Sequence, residues 1–325
     1  MNWKTPDFIK RHPGNPILDA GKVPYEAVCT YNAGFAKYNG KYVMVFRNDF
    51  VRNKDNFMTT AARINLGLAV SDDGIDWTVA PEPCWKLETD EILRVYDPRL
   101  TVIDGKCFLC FAADTRHGVR GGVAVTEDFC KFEILSMSAP DNRNMVLFPE
   151  KIGGKYMRLE RPFPVYSRGG GEAFDIWSSC SPDGRYWGHT GLVLGAEDVP
   201  YSNCKIGPGA PPVKTKYGWL CAIHAVEKIE RELYAWHPNW HKVYYGGLML
   251  LDLENPNQVL AVSKQPLLVP EMPYETEGMR GSTIFPGGMI LEDSGEVKIY
   301  YGSADTVECL ASADLGDLLK FVRAG

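Results

Sequence analysis

Helical periodicity is nearly absent from this chain of 325 residues, and no apolar run is long enough to span a membrane. Met1-Asn2-Trp3-Lys4-Thr5-Pro6-Asp7 carries charge and proline where a secretory leader needs an apolar stretch. These absences predict a cytoplasmic protein without a membrane partner. Basic charge is also in short supply. A formal net charge of -6 argues against nucleic acid as a partner, because binding a phosphate backbone wants a basic face, although a local basic pocket remains open. Nor do the cysteines form a framework. There are nine, an odd number scattered from Cys29 to Cys309, which fits reduced thiols. Cys107 and Cys110 make a lone C-x-x-C inside a strand-like run, and zinc would want a second pair, so no metal or cofactor is expected. No linker or low-complexity stretch divides the chain, which is read as one domain, 1–325. Gly169-Gly170-Gly171 is too short for a linker and lacks the lysine of a P-loop; it reads as a loop at a site mouth. Trp236-His237-Pro238-Asn239-Trp240-His241 spaces two histidines by four, but Pro238 spoils a metal-binding helix. That segment reads as a loop near a substrate or a subunit contact.

What is present is a pattern of short strands and tight turns. Five times a strand enters a turn and returns as an aromatic-rich strand. The pairs are Gly34–Tyr38 with Tyr42–Arg47, Leu100–Ile103 with Cys107–Ala112, Val146–Ile152 with Tyr156–Glu160, Ala210–Lys214 with Gly218–His224, and Gly288–Leu291 with Glu296–Tyr301. Asn39-Gly40, Asp104-Gly105 and Gly153-Gly154 are favoured hairpin dipeptides. After each pair an apolar strand runs into an acidic turn, as in Val70-Ser71-Asp72-Asp73-Gly74 and Ser181-Pro182-Asp183-Gly184. These turns, near 72, 127, 182, 252 and 314, stand about 55 to 70 residues apart, the length of a four-stranded propeller blade. The order predicts an all-β, five-bladed β-propeller with its active site at the mouth of the central channel. A β-sandwich would leave the repeated order unexplained.

The channel mouth is where blade polar residues converge. Near the inner hairpins stand Asn32, Arg47, Asn48 and Asp49, then Asp97, then Arg143, Asn144 and Arg161, then Lys205 and His224, and finally Asp305. Asp97, in Tyr96-Asp97-Pro98-Arg99-Leu100, opens a strand-like run and is followed by cations rather than by an obvious second acid. One carboxylate facing several cations suggests an acid catalyst beside a bound anion. With phosphate as the anion and a sugar as substrate, the reaction would be phosphorolysis. A hydrolase would need a second carboxylate to activate water, from among Glu160, Glu172 and Asp175.

Tyr31-Asn32-Ala33-Gly34, Phe46-Arg47-Asn48-Asp49, Tyr96-Asp97-Pro98-Arg99, Asn142-Arg143-Asn144, Leu159-Glu160-Arg161-Pro162 and Lys205-Ile206-Gly207, in this order, resemble glycoside hydrolase family 130. The resemblance spans Asn15 to Asp305 and implies an inverting β-mannoside phosphorylase on a five-bladed propeller. It implies Asp97 as general acid, acting through the 3-hydroxyl of the mannose. It implies Arg143, Asn144, Arg161, Lys205 and His224 as phosphate ligands, and Asn32, Arg47, Asp49 and Asp305 as sugar-holding residues. Tyr96 or Tyr301 would offer a stacking surface. The chain is most similar to the subgroup that acts on β-1,4-mannooligosaccharides, with phosphate as co-substrate and mannose 1-phosphate as product. The subgroup acting on mannosyl-N-acetylglucosamine is the nearest competitor. The resemblance also implies a homo-oligomer, often a hexamer. A propeller hydrolase and a non-catalytic carbohydrate-binding propeller are the readings from other classes.

Overall fold

The computed structural model describes residues 3–51, 63–164, 173–229 and 241–324. The Gly169-Gly170-Gly171 loop, Glu172 and Trp236 to Trp240 lie outside that set. A short strand β1 (Lys10–Arg11) precedes five antiparallel sheets. The first is β2 (Cys29–Tyr38), β3 (Lys41–Val51), β4 (Arg63–Ser71) and β5 (Thr78–Val79). The second is β6 (Ile92–Ile103), β7 (Lys106–Thr115), β8 (Gly118–Thr126) and β9 (Glu133–Met137). The third is β10 (Asn142–Leu147), β11 (Tyr156–Pro162), β12 (Ile176–Ser181) and β13 (Gly188–Leu194). In the fourth, the inner strand is split into β14 (Lys205–Pro208) and β15 (Val213–Thr215). Both pair with β16 (Gly218–Lys228), followed by β17 (Lys242–Leu251) and β18 (Val259–Val262). A single turn of helix, α1 (Pro273–Thr276), leads to β19 (Ile284–Leu291), β20 (Glu296–Ser303), β21 (Val307–Asp314) and helix α2 (Leu315–Arg323).

This is a five-bladed β-propeller. Each expected hairpin is the inner pair of a blade, and each acidic turn follows a blade's third strand. The turns work because a short side chain substitutes for backbone. Asp73 accepts from the amides of Ile75 and Asp76, Asp128 from Cys130 and Lys131, Asp183 from Arg185 and Tyr186, and Asp252 from Glu254 and Asn255. Asn39 and Gly40 both take positive φ, as the two-residue hairpin turn requires.

The apolar core is divided into clusters lying between neighbouring blades. Val45, Leu66, Leu100 and Phe111 join the first and second, while Ile206, Trp219, Leu159 and Phe148 join the third and fourth. Cys107 and Cys110, three apart on β7, project to opposite faces and enter different clusters, so they cannot share an ion.

Two features depart from the sequence reading. The fifth blade takes its outer strand from the other end of the chain: β1 pairs with β21, Lys10 facing Ser312, and closes the ring. A helix, α2, follows the last acidic turn, with Asp314 capping it through the Gly316 amide. Its apolar face is contributed by Leu318, Leu319 and Val322, all buried.

Candidate active site

Three blades build the channel mouth with one device. Each innermost strand slips its register against its neighbour: between Tyr31 and Gly34, between Tyr96 and Arg99, and between Arg143 and Val146. Within each bulge one residue adopts a left-handed backbone: Asn32 (φ 52), Asp97 (φ 53) and Asn144 (φ 58). Asparagine and aspartate are the side-chain-bearing residues that tolerate this region best. The bulge ends the regular alternation and turns those side chains into the cleft. Asp97 therefore does not open a strand, as the sequence suggested; it sits in a bulge within β6. Asp305 (φ 49) reaches the same cleft from the turn between β20 and β21.

The cleft, ≈ 470 Å³ counting the space it shares with open solvent, is lined by Asn32, Arg47, Asp97, Arg143, Asn144, Arg161, Lys205 and Asp305. Eight of the eleven site residues expected from the sequence thus meet in one place. The other three stand behind the wall. Asp49 is fully buried, holding Arg47 through two hydrogen bonds of 2.7 and 3.1 Å, and it accepts a third from the Tyr31 hydroxyl. His224 is fully buried on β16, its Nε2 3.1 Å from Arg161 Nη1. Arginine can only donate, so the histidine accepts there. Tyr96 is not a sugar platform. Its hydroxyl donates to Asp114 at 2.7 Å and its ring faces the Arg47 guanidinium at 5.0 Å. Tyr301 is likewise buried, donating to Glu275 at 2.8 Å.

Four further residues line the cleft: Tyr244, Arg280, Thr283 and Phe285. Arg280 pairs with Asp305 at 3.2 Å. Phe285 carried a usable signal, because Phe285-Pro286-Gly287-Gly288 holds the inner-strand bulge of the fifth blade.

The acid and the cations are electrostatically distinct. Asp97 Oδ1 accepts from Asn32 Nδ2 (3.0 Å) and Arg47 Nη1 (3.2 Å). Burial disfavours its charge, but Arg47, Arg99, Asn32 and Arg143 outweigh burial and hold the carboxyl below its usual range. The cleft is also lined by Arg143, Arg161 and Lys205, with Asn144 next to Arg143 on β10. Among the described residues, no carboxylate lies within ion-pair distance of any of these three cations. Burial first, and then Arg161 and Arg143, pull Lys205 well below the ordinary lysine range. The same combination of burial and neighbouring cations keeps His224 neutral. Arg143 Nε and Arg161 Nε are buried donors without a partner. Gly207 makes the arrangement possible: a Cβ there would stand 2.4 Å from His224 Cε1, so the imidazole occupies the space a side chain would take.

Candidate second acids are engaged elsewhere. Glu160 is paired with Arg158 at 2.9 Å and accepts from Asn142 at 3.0 Å, and Asp175 accepts from the Ala196 amide at 2.9 Å. Neither lines the cleft.

Fold and site together define a propeller protein whose cleft holds an ionised carboxylate, Asp97, together with three cations that no described carboxylate pairs. A family model described as β-1,4-mannooligosaccharide phosphorylase matches residues 9–324. The chain belongs to glycoside hydrolase family 130. It is 31% identical over 332 residues to the β-1,4-mannooligosaccharide phosphorylase of Ruminococcus albus, covering 98% of this chain and 92% of that one. It is 30% identical over 316 residues to a 1,2-β-oligomannan phosphorylase of Thermoanaerobacter sp., covering 95% and 98%. The solved β-1,2-mannobiose phosphorylase of Listeria innocua, in complex with β-1,2-mannobiose, superimposes over 100% of both chains. Its TM-score is 0.84 at 26% identity.

Proposed function

We propose that this protein cleaves β-1,4-mannooligosaccharides with inorganic phosphate at the non-reducing end, with inversion, releasing α-D-mannose 1-phosphate. One observation carries the reading: Arg143, Arg161 and Lys205, with no described carboxylate to pair them, open into the same cleft as Asp97, while the other described carboxylate there, Asp305, is taken by Arg280. A doubly charged phosphate satisfies Arg143, Arg161 and Lys205, whereas a neutral water does not.

In this scheme an oxygen of phosphate attacks the anomeric carbon from the face opposite the leaving sugar. The new carbon–oxygen bond forms as the glycosidic bond breaks, and the leaving oxygen receives the proton held by Asp97, directly or through a substrate hydroxyl. Phosphate is already a nucleophile and needs positioning rather than a base, which removes the need for a second carboxylate. Asp97 must carry a proton when the bond breaks, yet the neighbouring cations favour its ionised form. Phosphate resolves the conflict: its charge offsets Arg143 and Arg161, and the proton affinity of Asp97 rises. Neutral His224 orients Arg161 from behind. Asn32, Arg47 and Asp305 are placed to hold the mannosyl unit.

The similarity to β-1,2-specific relatives supports a second reading that differs only in linkage. One experiment addresses both. The protein is incubated with β-1,4-mannobiose, β-1,4-mannotriose, β-1,2-mannobiose and mannosyl-N-acetylglucosamine, with and without phosphate, and mannose 1-phosphate is measured. Full-rate sugar release without phosphate refutes phosphorolysis, and turnover of the β-1,2 substrate alone refutes the β-1,4 assignment.

A further inference from the structure

Beneath the cleft lies an arginine that touches no cleft space. Arg99 is 3 % exposed, and its guanidinium donates only to backbone carbonyls. Nη1 reaches Asn32 O at 3.0 Å and Pro98 O at 2.7 Å, Nε reaches Gly209 O at 2.7 Å, and Nη2 reaches Pro286 O at 3.4 Å. Those four carbonyls come from four different blades. Two belong to the bulges that present Asn32 and Asp97. A third follows the strand that carries Lys205, and the fourth adjoins Phe285 at the cleft wall. Directly above, Asn32 Nδ2 closes on Asp97 Oδ1. The backbones are close enough that a Cβ at Gly34 would stand 2.8 Å from Pro98 O.

We propose that Arg99 is a positioning residue for the reaction: it pins the bulge bearing Asp97 to the bulge bearing Asn32 and to the blade bearing Lys205, fixing the acid relative to the bound anion. The proposal rests on the phosphorolysis reading. The guanidinium suits the task because it is planar, permanently charged and offers five donors in a fixed fork, so it can serve carbonyls in several directions at once. A lysine at this position keeps the charge but concentrates its donors on one atom. The charged and titratable groups around the acid are Arg47 on β3, Tyr96 and Arg99 on β6, Arg143 on β10, Arg161 on β11 and Glu308 on β21. Glu308, buried with one oxygen on the Ala33 amide at 3.1 Å, lies near Arg99 on the side of the fifth blade.

The test compares wild type, Arg99→Lys and Arg99→Gln in steady-state phosphorolysis across pH, with melting curves as a check on folding. Mannose 1-phosphate formation by the wild type reports on the phosphorolysis reading, and the variant-to-wild-type ratios report on the pin. Arg99→Lys is expected to lose about 30- to 100-fold in kcat, the cost of misplacing a reacting group by about 1 Å, with KM for phosphate within about twofold. Its alkaline limb, where activity falls as Asp97 loses its proton, stays where it is in wild type. Arg99→Gln is expected to lose kcat similarly and also to move that limb to higher pH, because a cation near Asp97 is gone. A role confined to holding the fold would lower melting temperature without moving the limb. Wild-type kcat in folded Arg99→Lys, or an unmoved limb in Arg99→Gln, overturns the proposal. If these variants do not fold, Gly34→Ala forces the same two bulges apart with Arg99 intact. A kcat-selective loss there supports the pin and an unchanged kcat overturns it. Failure of all three to fold assigns Arg99 to the fold alone and overturns it as well.

Discussion

Removing the Lys205 charge should make the empty protein more stable while abolishing its use of phosphate. Lys205 is half-buried with Arg161, Arg143 and Lys242 as its charged neighbours and no described carboxylate within ion-pair distance, so the phosphate-free protein bears an uncompensated repulsion. In Lys205→Met the stem volume is retained. The ammonium's contacts with Phe174 (5.8 Å) and Tyr244 (5.3 Å) give way to thioether–aromatic contacts of similar worth, about 0.5–1 kcal/mol each way. What remains is the relief of burying charge among like charge. Replacing a buried ion pair by apolar groups of similar size is neutral or gains about 1–4 kcal/mol; a half-buried cation among like charges lacks even the pair's attraction, and with imperfect repacking the expected gain is about 1–3 kcal/mol. At about 2 °C per kcal/mol for a chain of this length, the melting temperature in phosphate-free buffer should rise by about 2–6 °C. The pH dependence has a definite sign. A lysine depressed in the folded state binds more protons when unfolded, so wild-type stability climbs as pH rises toward the ordinary lysine range near 10.4. That slope should flatten in the variant. Phosphate reverses the ranking: at a hundred times its Kd it adds about 2.7 kcal/mol to wild type and far less to Lys205→Met. Differential scanning fluorimetry with a phosphate titration reads all three effects. A variant that is less stable than wild type without phosphate, yet responds to phosphate equally, would refute the reasoning.

Asp97→Asn should lower kcat by about 10²- to 10⁴-fold while phosphate still raises the melting temperature, since the cradle is untouched; loss of both together would move Asp97 into the cradle. Phosphate binding near pH 6, followed by calorimetry in two buffers of different ionisation heat, should show greater proton uptake in wild type than in Asp97→Asn. Equal uptake would mean that the anion does not raise the proton affinity of the acid. Gly207→Ala drives a Cβ against the His224 ring and should cost about 1–3 kcal/mol of stability together with a raised KM for phosphate; an unchanged KM would show that the imidazole need not support Arg161.

The blade repeat was legible because each blade solves the same local problems with the same residues. A turn dipeptide such as Asn39-Gly40, an Asx acid such as Asp183 and an asparagine or aspartate at the inner bulge all reflect backbone conformations that few residues adopt. The short strings around Asn32, Asp97 and Asn144 were therefore informative about geometry as well as chemistry. Legibility ended where function depends on pairing across long separations. Nothing in Lys10-Arg11 marks it as the partner of Ala311 and Ser312, and Arg280 lies in an irregular stretch whose role is set only by where the fifth blade lands. Tyr96 and Tyr301 were misassigned as ring surfaces because an aromatic beside a site residue does not reveal which way its strand faces. The Asp114 and Glu275 contacts that occupy them come from a neighbouring strand, β7, and from helix α1.

The pairing of β1 with β21 also governs how the protein is assembled. Lys10 leaves the ribosome about three hundred residues before Ser312, so the contact that completes the ring has nearly the largest sequence separation the chain allows. Until it forms, β21 is an open strand edge, able to template pairing with another chain. The slowest and most hazardous moment in the life of this molecule is thus placed at the blade farthest from its beginning, and variants that weaken two residues of main-chain pairing should show it first as aggregation during synthesis rather than as lost catalysis.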